Sequence, residues 1–201
     1  MFVLTVDQRR SRHDIDRVEN ILHELRSTPL LRPFERTAGD EVQAVTDNPH
    51  LVVKLVLGLL RREYWSIGIG LGPVEEPLPA QTRAGRGAAF EAARIAVERA
   101  KKAPARIAVE QAPADTTLAE HAADIDGAFT LLGTIVIRQT PDGREAIALM
   151  DAGLTQVAAA QQLGITKQAM SKRLLTAGWQ AELAGRRLAE RLLAAATDGH
   201  R

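Results

Sequence analysis

The sequence predicts an α+β protein, a sheet domain over residues 1–112 followed by an all-α domain over residues 113–201. Three observations point to this. Up to residue 110, short runs of β-branched and aromatic residues alternate with segments of helical period. Beyond Pro113 every segment has helical spacing and none alternates. Glycine and proline cluster between the segments, as at Gly39, Pro77, Pro79, Pro104, Pro113, Gly153, Gly164 and Gly178. With 201 residues and 45% hydrophobic content, the chain can bury a substantial core without help from cross-links.

Residues 2–6 form the first expected strand, ending at Asp7, and residues 14–26 the first helix, with Ile15, Val18, Ile21, Leu22 and Leu25 on one side. Strands at 34–37 and 42–46 flank Ala38, Gly39, Asp40 and Glu41, a hairpin signal that puts the acidic pair at its tip. Asp47, Asn48 and Pro49 then supply a cap and a first-turn proline for a helix over 50–64. Residues 65–74 alternate through Ile67, Ile69 and Leu71 and carry three glycines, which suits a strand closely approached by another backbone. An alanine-rich helix over 85–103 and a strand over 106–110 complete a βαββαβαβ order. In the second half, a long helix is expected over 116–138, although Thr134 to Ile137 alone would pass for a strand. Shorter helices follow at 142–152, 155–163, 166–177 and 180–197.

Composition excludes several functions. There is no cysteine, hence no disulfide framework, thiolate metal site or cysteine nucleophile, and a reducing compartment is suited. The net charge of +1 confines any nucleic-acid surface to a local patch. Asp7, Arg9 and Arg10 interrupt the region where a signal peptide would have its apolar core, and the longest apolar stretch, 51–60, contains Lys54 and Gly58. A cytoplasmic protein without a membrane segment is the expectation. The five histidines show no metal-ligand spacing. Arg9, Arg10, Ser11 and Arg12 form a charge run that ordinarily marks a solvated loop but that, just after Asp7, is placed to meet phosphates.

Thr155 and Thr166 stand where a side-chain oxygen caps the next helix, and Gly153, Gly164 and Gly178 where a left-handed residue ends the preceding one. Ala160 permits close crossing, while Leu163, Ile165, Met170 and Leu174 fill the space beneath. Residues 155–174 resemble the helix-turn-helix of bacterial regulators and of sigma-factor promoter-reading domains, within a unit spanning about 142–179. With Met170 and Leu174 inward, the exposed side of the second motif helix carries Thr166, Lys167, Gln168, Ser171, Lys172 and Arg173. Gln168, Ser171 and Lys172 are expected at base edges and Lys167 and Arg173 at phosphates, with Ala169 near a thymine methyl. The same residues also fit an ordinary solvated helix face. The last helix is amphipathic through Leu183, Leu188, Leu192 and Leu193; it serves equally well to join two protomers, giving a homodimer on a palindromic operator, or to fold back on the long helix.

The run from Val3 to Asp7, the hairpin 37–45 and the glycine strand 67–72 resemble the palm-like domain of class III nucleotidyl cyclases, and with 85–94 they look like the bacterial SatD family, some of whose members continue into a helix-turn-helix. The resemblance implies a ferredoxin-like, cyclase-palm-like sheet. It also implies that Asp7 and Asp40 hold magnesium against a nucleotide and that Arg94 contacts phosphate. Phe90 stands where the family has an asparagine, which counts against turnover, and the hairpin lacks the doubled glycine of diguanylate cyclase loops. Asp7 and Asp40 equally fit the plain roles of strand-end and turn residue. Two functions are therefore expected in order. The first is a DNA-binding transcriptional regulator whose N-terminal domain senses a ligand, a nucleotide among the candidates, or mediates assembly, with double-stranded DNA as partner. The second is a magnesium-dependent nucleotide-binding or cyclase-like enzyme.

Overall fold

In a computed structural model of the chain, residues 1–10, 15–111 and 116–198 are described, without the side chains of 116–119, 197 and 198. They form a five-stranded mixed sheet and eight helices, an α+β architecture. The strands are β1 (Phe2–Gln8), β2 (Arg32–Arg36), β3 (Glu41–Thr46), β4 (Trp65–Leu71) and β5 (Ile107–Gln111). The helices of the first half are α1 (Val18–Leu25), α2 (Pro49–Arg61) and α3 (Ala88–Ala100), with a short 3-10 turn at Thr82–Ala84 that the sequence pattern does not signal. The second half contains α4 (Thr116–Val136), α5 (Pro141–Asp151), α6 (Gln156–Gln162), α7 (Lys167–Thr176) and α8 (Trp179–Asp198). The predicted order of elements is observed, with ends moved by a few residues. The ambiguous run Thr134 to Val136 is helical, because Val136 and Leu132 drop into the core on one face.

The sheet order is β2-β3-β1-β4-β5. Each of the first four strands is antiparallel to its neighbours among them, and β5 adds parallel to β4 after the α3 crossover. Alternation divides the side chains cleanly between two faces. Phe2, Leu4, Val6, Ile67, Ile69, Ile107 and Val109 point into the main core under α1, α2, α4 and α8. The other face meets α3, through Val3 and Val45 against Ala89, Phe90 and Ala93, and through Ala108 against Ala96 and Ala100. Two glycines of β4 explain why α3 sits so close. A Cβ at Gly70 would lie 2.1 Å from the Ala89 carbonyl oxygen, and one at Gly68 would lie 2.3 Å from the Val97 nitrogen. The glycine pattern thus marks a backbone approach, as its spacing suggests.

The main core crosses the line between residues 112 and 113. Ala122, Ile125, Phe129, Leu132 and Val136 of α4 and Ala189, Leu193 and Ala196 of α8 are buried in one cluster with the sheet. The apolar side of α8 is therefore used within the chain, against α4 and α2, and its fold-back position is the one adopted. Between them, α5, α6 and α7 enclose a small separate core of Ala146, Ile147, Ala159, Ala160, Met170, Leu174 and Ala177. Among the described residues no helix is long and apolar enough to cross a membrane.

Candidate nucleic-acid interface

Each short helix of the α5–α7 unit begins at a threonine cap. Thr140 Oγ1 accepts from Gly143 N at 3.2 Å, Thr155 Oγ1 from Ala158 N at 3.2 Å and Thr166 Oγ1 from Ala169 N at 3.1 Å. The turn between α6 and α7 is closed by Gly164 at φ 64°, and the Ile165 N–H donates back to the Ala160 carbonyl at 3.0 Å. A side chain at 164 would have open space but a strained backbone, so conformation and not packing selects glycine there. Met170 and Leu174 are buried beneath α7, which fixes its rotation. Thr166, Lys167, Gln168, Ser171 and Lys172 are consequently exposed, and among the described residues neither lysine has a carboxylate partner.

Two positions on α7 differ from the sequence expectation. Arg173 is turned toward α5, 2.9 Å from Asp142 and 3.7 Å from Glu145, so it braces α7 against α5 where a free phosphate ligand was expected. Ala169 is half-buried in the cap turn, whereas Leu175 is 82% exposed and continues the outward stripe Gln168, Ser171, Lys172. Sequence reading missed Leu175 because a leucine beside Leu174 looks like core. Only the rotation set by Met170 tells the two apart. Next to Leu175, an open groove of about 390 Å³ runs between Gln156, Ser171 and Trp179.

A buried polar node joins this unit to the sheet. Glu182 of α8 is fully buried and takes ion pairs from Arg61 of α2 and Arg186 of α8. Gln139 donates to Glu182 at 2.6 Å and to the Ala177 carbonyl, just beyond α7, at 3.1 Å. Arg186 also reaches Asp151 at the end of α5, at 2.8 and 2.9 Å. Burial works to raise the Glu182 carboxyl, but Arg61, the Gln139 hydrogen bond and Arg186 outweigh it and hold the group below its ordinary value. The spacing of Glu182 and Arg186 is visible in the sequence. Arg61, 121 residues away, is not. Beside the node a cleft of about 250 Å³ opens between His50, Lys54, Asp151 and Arg186.

The two aspartates lie at the end of the sheet by the C-terminus of α3. Asp7 is the last residue but one of β1 and pairs in register with Glu41, next to the hairpin tip at Asp40. The pair is thus brought together as expected, but Lys101 at the end of α3 takes the Asp7 carboxylate at 3.1 Å and Glu98 at 2.6 Å. Burial raises the Asp7 carboxyl above its ordinary value, Lys101 opposes this through its hydrogen bond and charge, and Asp40 and Glu98 reinforce it. A divalent cation such as magnesium needs several converging oxygens. Here one carboxylate already serves an ammonium group, and among the described residues no group of three or more histidine, cysteine, aspartate or glutamate side chains could hold a metal. Asp7 and Asp40 alone therefore offer a cation fewer protein oxygens than it needs, and one of the two is shared with Lys101.

Arg94 is exposed on α3, two turns and roughly 10 Å of helix rise before Lys101, so it is not gathered to the aspartates. Phe90, at the asparagine position of the resemblance, is buried against Gly85 and packs with Val3 and Val45. Its ring is part of the core on the α3 face. Of the charge run after Asp7, Ser11 and Arg12 lie outside the described residues. Set beside known proteins, the chain matches no family model, no curated protein and no solved structure.

Proposed function

We propose that α5–α7 is a helix-turn-helix that binds double-stranded DNA through α7, and that the chain is a transcriptional regulator acting in the cytoplasm. The observation that carries this is the outward face of α7. Lys167, Gln168, Ser171 and Lys172 stand exposed on a helix whose start and rotation are set by the Thr166 cap and by Met170 and Leu174 beneath. Donors of this kind suit base edges and phosphates in a major groove. Leu175 supplies the apolar contact for a thymine methyl that Ala169 was expected to make, since it is the more exposed of the two.

In this reading the sheet domain is the sensing or assembling part, and the order β2-β3-β1-β4 with antiparallel neighbours supports a ferredoxin-like sheet. The Glu182 node is the route by which its state reaches α7, because Gln139 bonds both the carboxylate and the carbonyl that follows α7. A homodimer on a palindromic operator would have to pair through a surface other than the apolar side of α8, which is occupied within the chain. The Lys101 contact to Asp7 and the burial of Phe90 weigh against the enzyme reading.

The test is equilibrium binding of the full chain to its own upstream DNA and to an unrelated duplex over a salt series, beside Lys167→Ala, Lys172→Ala. Sequence-preferring binding that tightens as salt falls, and is abolished in the variant, is the expected result. Binding indifferent to both sequence and variant would make α7 a packing helix only.

A further inference from the structure

Among the described residues the non-glycine residues with left-handed backbone are three, Arg10 at φ 57°, Glu63 at 67° and Arg106 at 57°. They belong to three different turns, after β1, between α2 and β4, and before β5, yet they meet at one end of the sheet. Arg9 Nη1 and Arg106 Nη1 both donate to the Glu63 carbonyl oxygen, at 3.1 and 3.0 Å, and the Arg9 N–H donates to the Tyr64 carbonyl at 2.7 Å. Such backbone costs free energy and persists where the surroundings enforce it, and it gathers at functional sites. Here the guanidinium groups of Arg9 and Arg106 converge on the carbonyl of one such residue, Glu63.

Among the described residues the cluster has more positive charge than its neighbours neutralise. The carboxylate of Glu63 is engaged by Arg144 of α5, at 2.5 Å, and that of Asp7 by Lys101. Arg9 and Arg106 are half-buried and Arg10 is exposed. Burial first, then the charges of Arg106 and Arg10, depress the pKa of Arg9, which is how crowded guanidinium groups behave. An anion with several oxygens would relieve the crowding, and planar guanidinium groups suit phosphate.

The position of the cluster selects which phosphate. Arg144 donates to the Arg61 carbonyl at 2.6 Å as well as to Glu63, so α5 is fastened to the same turn. On its other side α5 holds Arg173 of α7 through Asp142 and Glu145. Helix α5 is therefore tied on one side to α7 and on the other to the turn that Arg9 and Arg106 contact. One turn of duplex spans about 34 Å. We propose that Arg9, Arg10 and Arg106 form a second, sequence-independent contact with the phosphate backbone of the duplex that α7 reads. This rests on the DNA-binding reading and deepens it.

The experiment uses the full chain with Arg10→Asn, Arg106→Asn, asparagine being tolerant of left-handed backbone, and the exposed single variant Arg10→Asn in case the pair fails to fold. Binding to the preferred and to an unrelated duplex is measured over the salt series alongside Lys167→Ala, Lys172→Ala. The arginine variants should weaken both duplexes by the same factor and leave their ratio unchanged. The slope of log affinity against log salt should fall by about 0.9 for each phosphate that is no longer neutralised. An unchanged slope and affinity overturns the inference while leaving α7 in place, and hands the cluster to a partner bearing carboxylates. If the lysine variant keeps the parent's sequence preference, the reading of α7 fails and the arginines are judged on the slope alone. No duplex binding by the parent overturns both.

Discussion

In the sheet domain, α3 reaches β4 because Gly68 and Gly70 present bare backbone to Ala89, Ala93 and Val97, and any added carbon would strike main-chain atoms. In the α5–α7 unit the helices are held by three threonine caps, left-handed glycines and seven small or medium buried side chains. The first arrangement concentrates its tolerance limits at a few positions where nothing can give. The second spreads them over many contributions of about 1 kcal/mol each, so it should respond to substitution in graded steps. A unit of this kind can adjust its helices locally, whereas the sheet with α3 must move as one piece.

The most disruptive single change should be at the node between the two regions. Glu182→Ala leaves Arg61 and Arg186 facing each other in a buried site, and a loss of about 4 kcal/mol is expected in chemical denaturation. A loss near that of a surface pair would mean that water already reaches the node. Gly70→Ala should cost about 3 kcal/mol and expose the amides of the whole sheet to hydrogen exchange together. If only the amides of α3 became labile, the single-piece description of this region would be wrong.

Met170→Ala should cost about 2 kcal/mol, with exchange rising in α5–α7 and not in β1 or β4. Uniform rise across the chain would erase the distinction between the two regions. Thr166→Ala should cost about 1 kcal/mol and weaken DNA binding through fraying at the start of α7, and no change in either would remove the cap from the account.

The smallest effects are those of pH, and the two regions differ in sign. Glu182 titrates lower in the folded chain, so its contribution is complete above the ordinary carboxylate range and is lost as pH falls through the depressed folded value. Asp7 titrates higher when folded, so its ionisation costs stability above the raised value, and that cost is relieved as pH falls through it. Thermal midpoints against pH for Glu182→Gln and Asp7→Asn should therefore shift the acid limb in opposite directions. Parallel shifts would contradict the assigned environments.

Much of this was legible in the sequence. The alternation of Ile67, Ile69 and Leu71 with glycines announced both a strand and its close neighbour, and Thr155, Gly164 and Thr166 fixed the turn and the helix starts to within a residue. Local chemistry acts over a few residues and leaves a local trace. What was not legible depended on contacts across the chain. Arg173 reads as a free cation until Asp142 and Glu145 are placed beside it, and nothing near Asp7 in the sequence announces Lys101 at the end of α3. The split at residue 112 followed a real change of periodicity, but the core is assembled by burial, and α4 and α8 had apolar faces to spend on the sheet.

The end of the sheet at β5 carries one further consequence. There the Val109 N–H donates to Asp126 of α4 at 2.7 Å, and Arg99 of α3 donates to the Val109 carbonyl at 2.7 Å, so both backbone groups at this position are already engaged. At the far end, β2 contains Pro33 and a register shift between Arg32 and Glu35, a poor template for another strand. Neither margin invites fibrillar growth while α4 is docked. Helix α4 is thus a stopper as well as a core element. A concentrated solution warmed only until α4 undocks would present Val109 to neighbouring molecules, and cross-β aggregation would start there before the sheet itself melts.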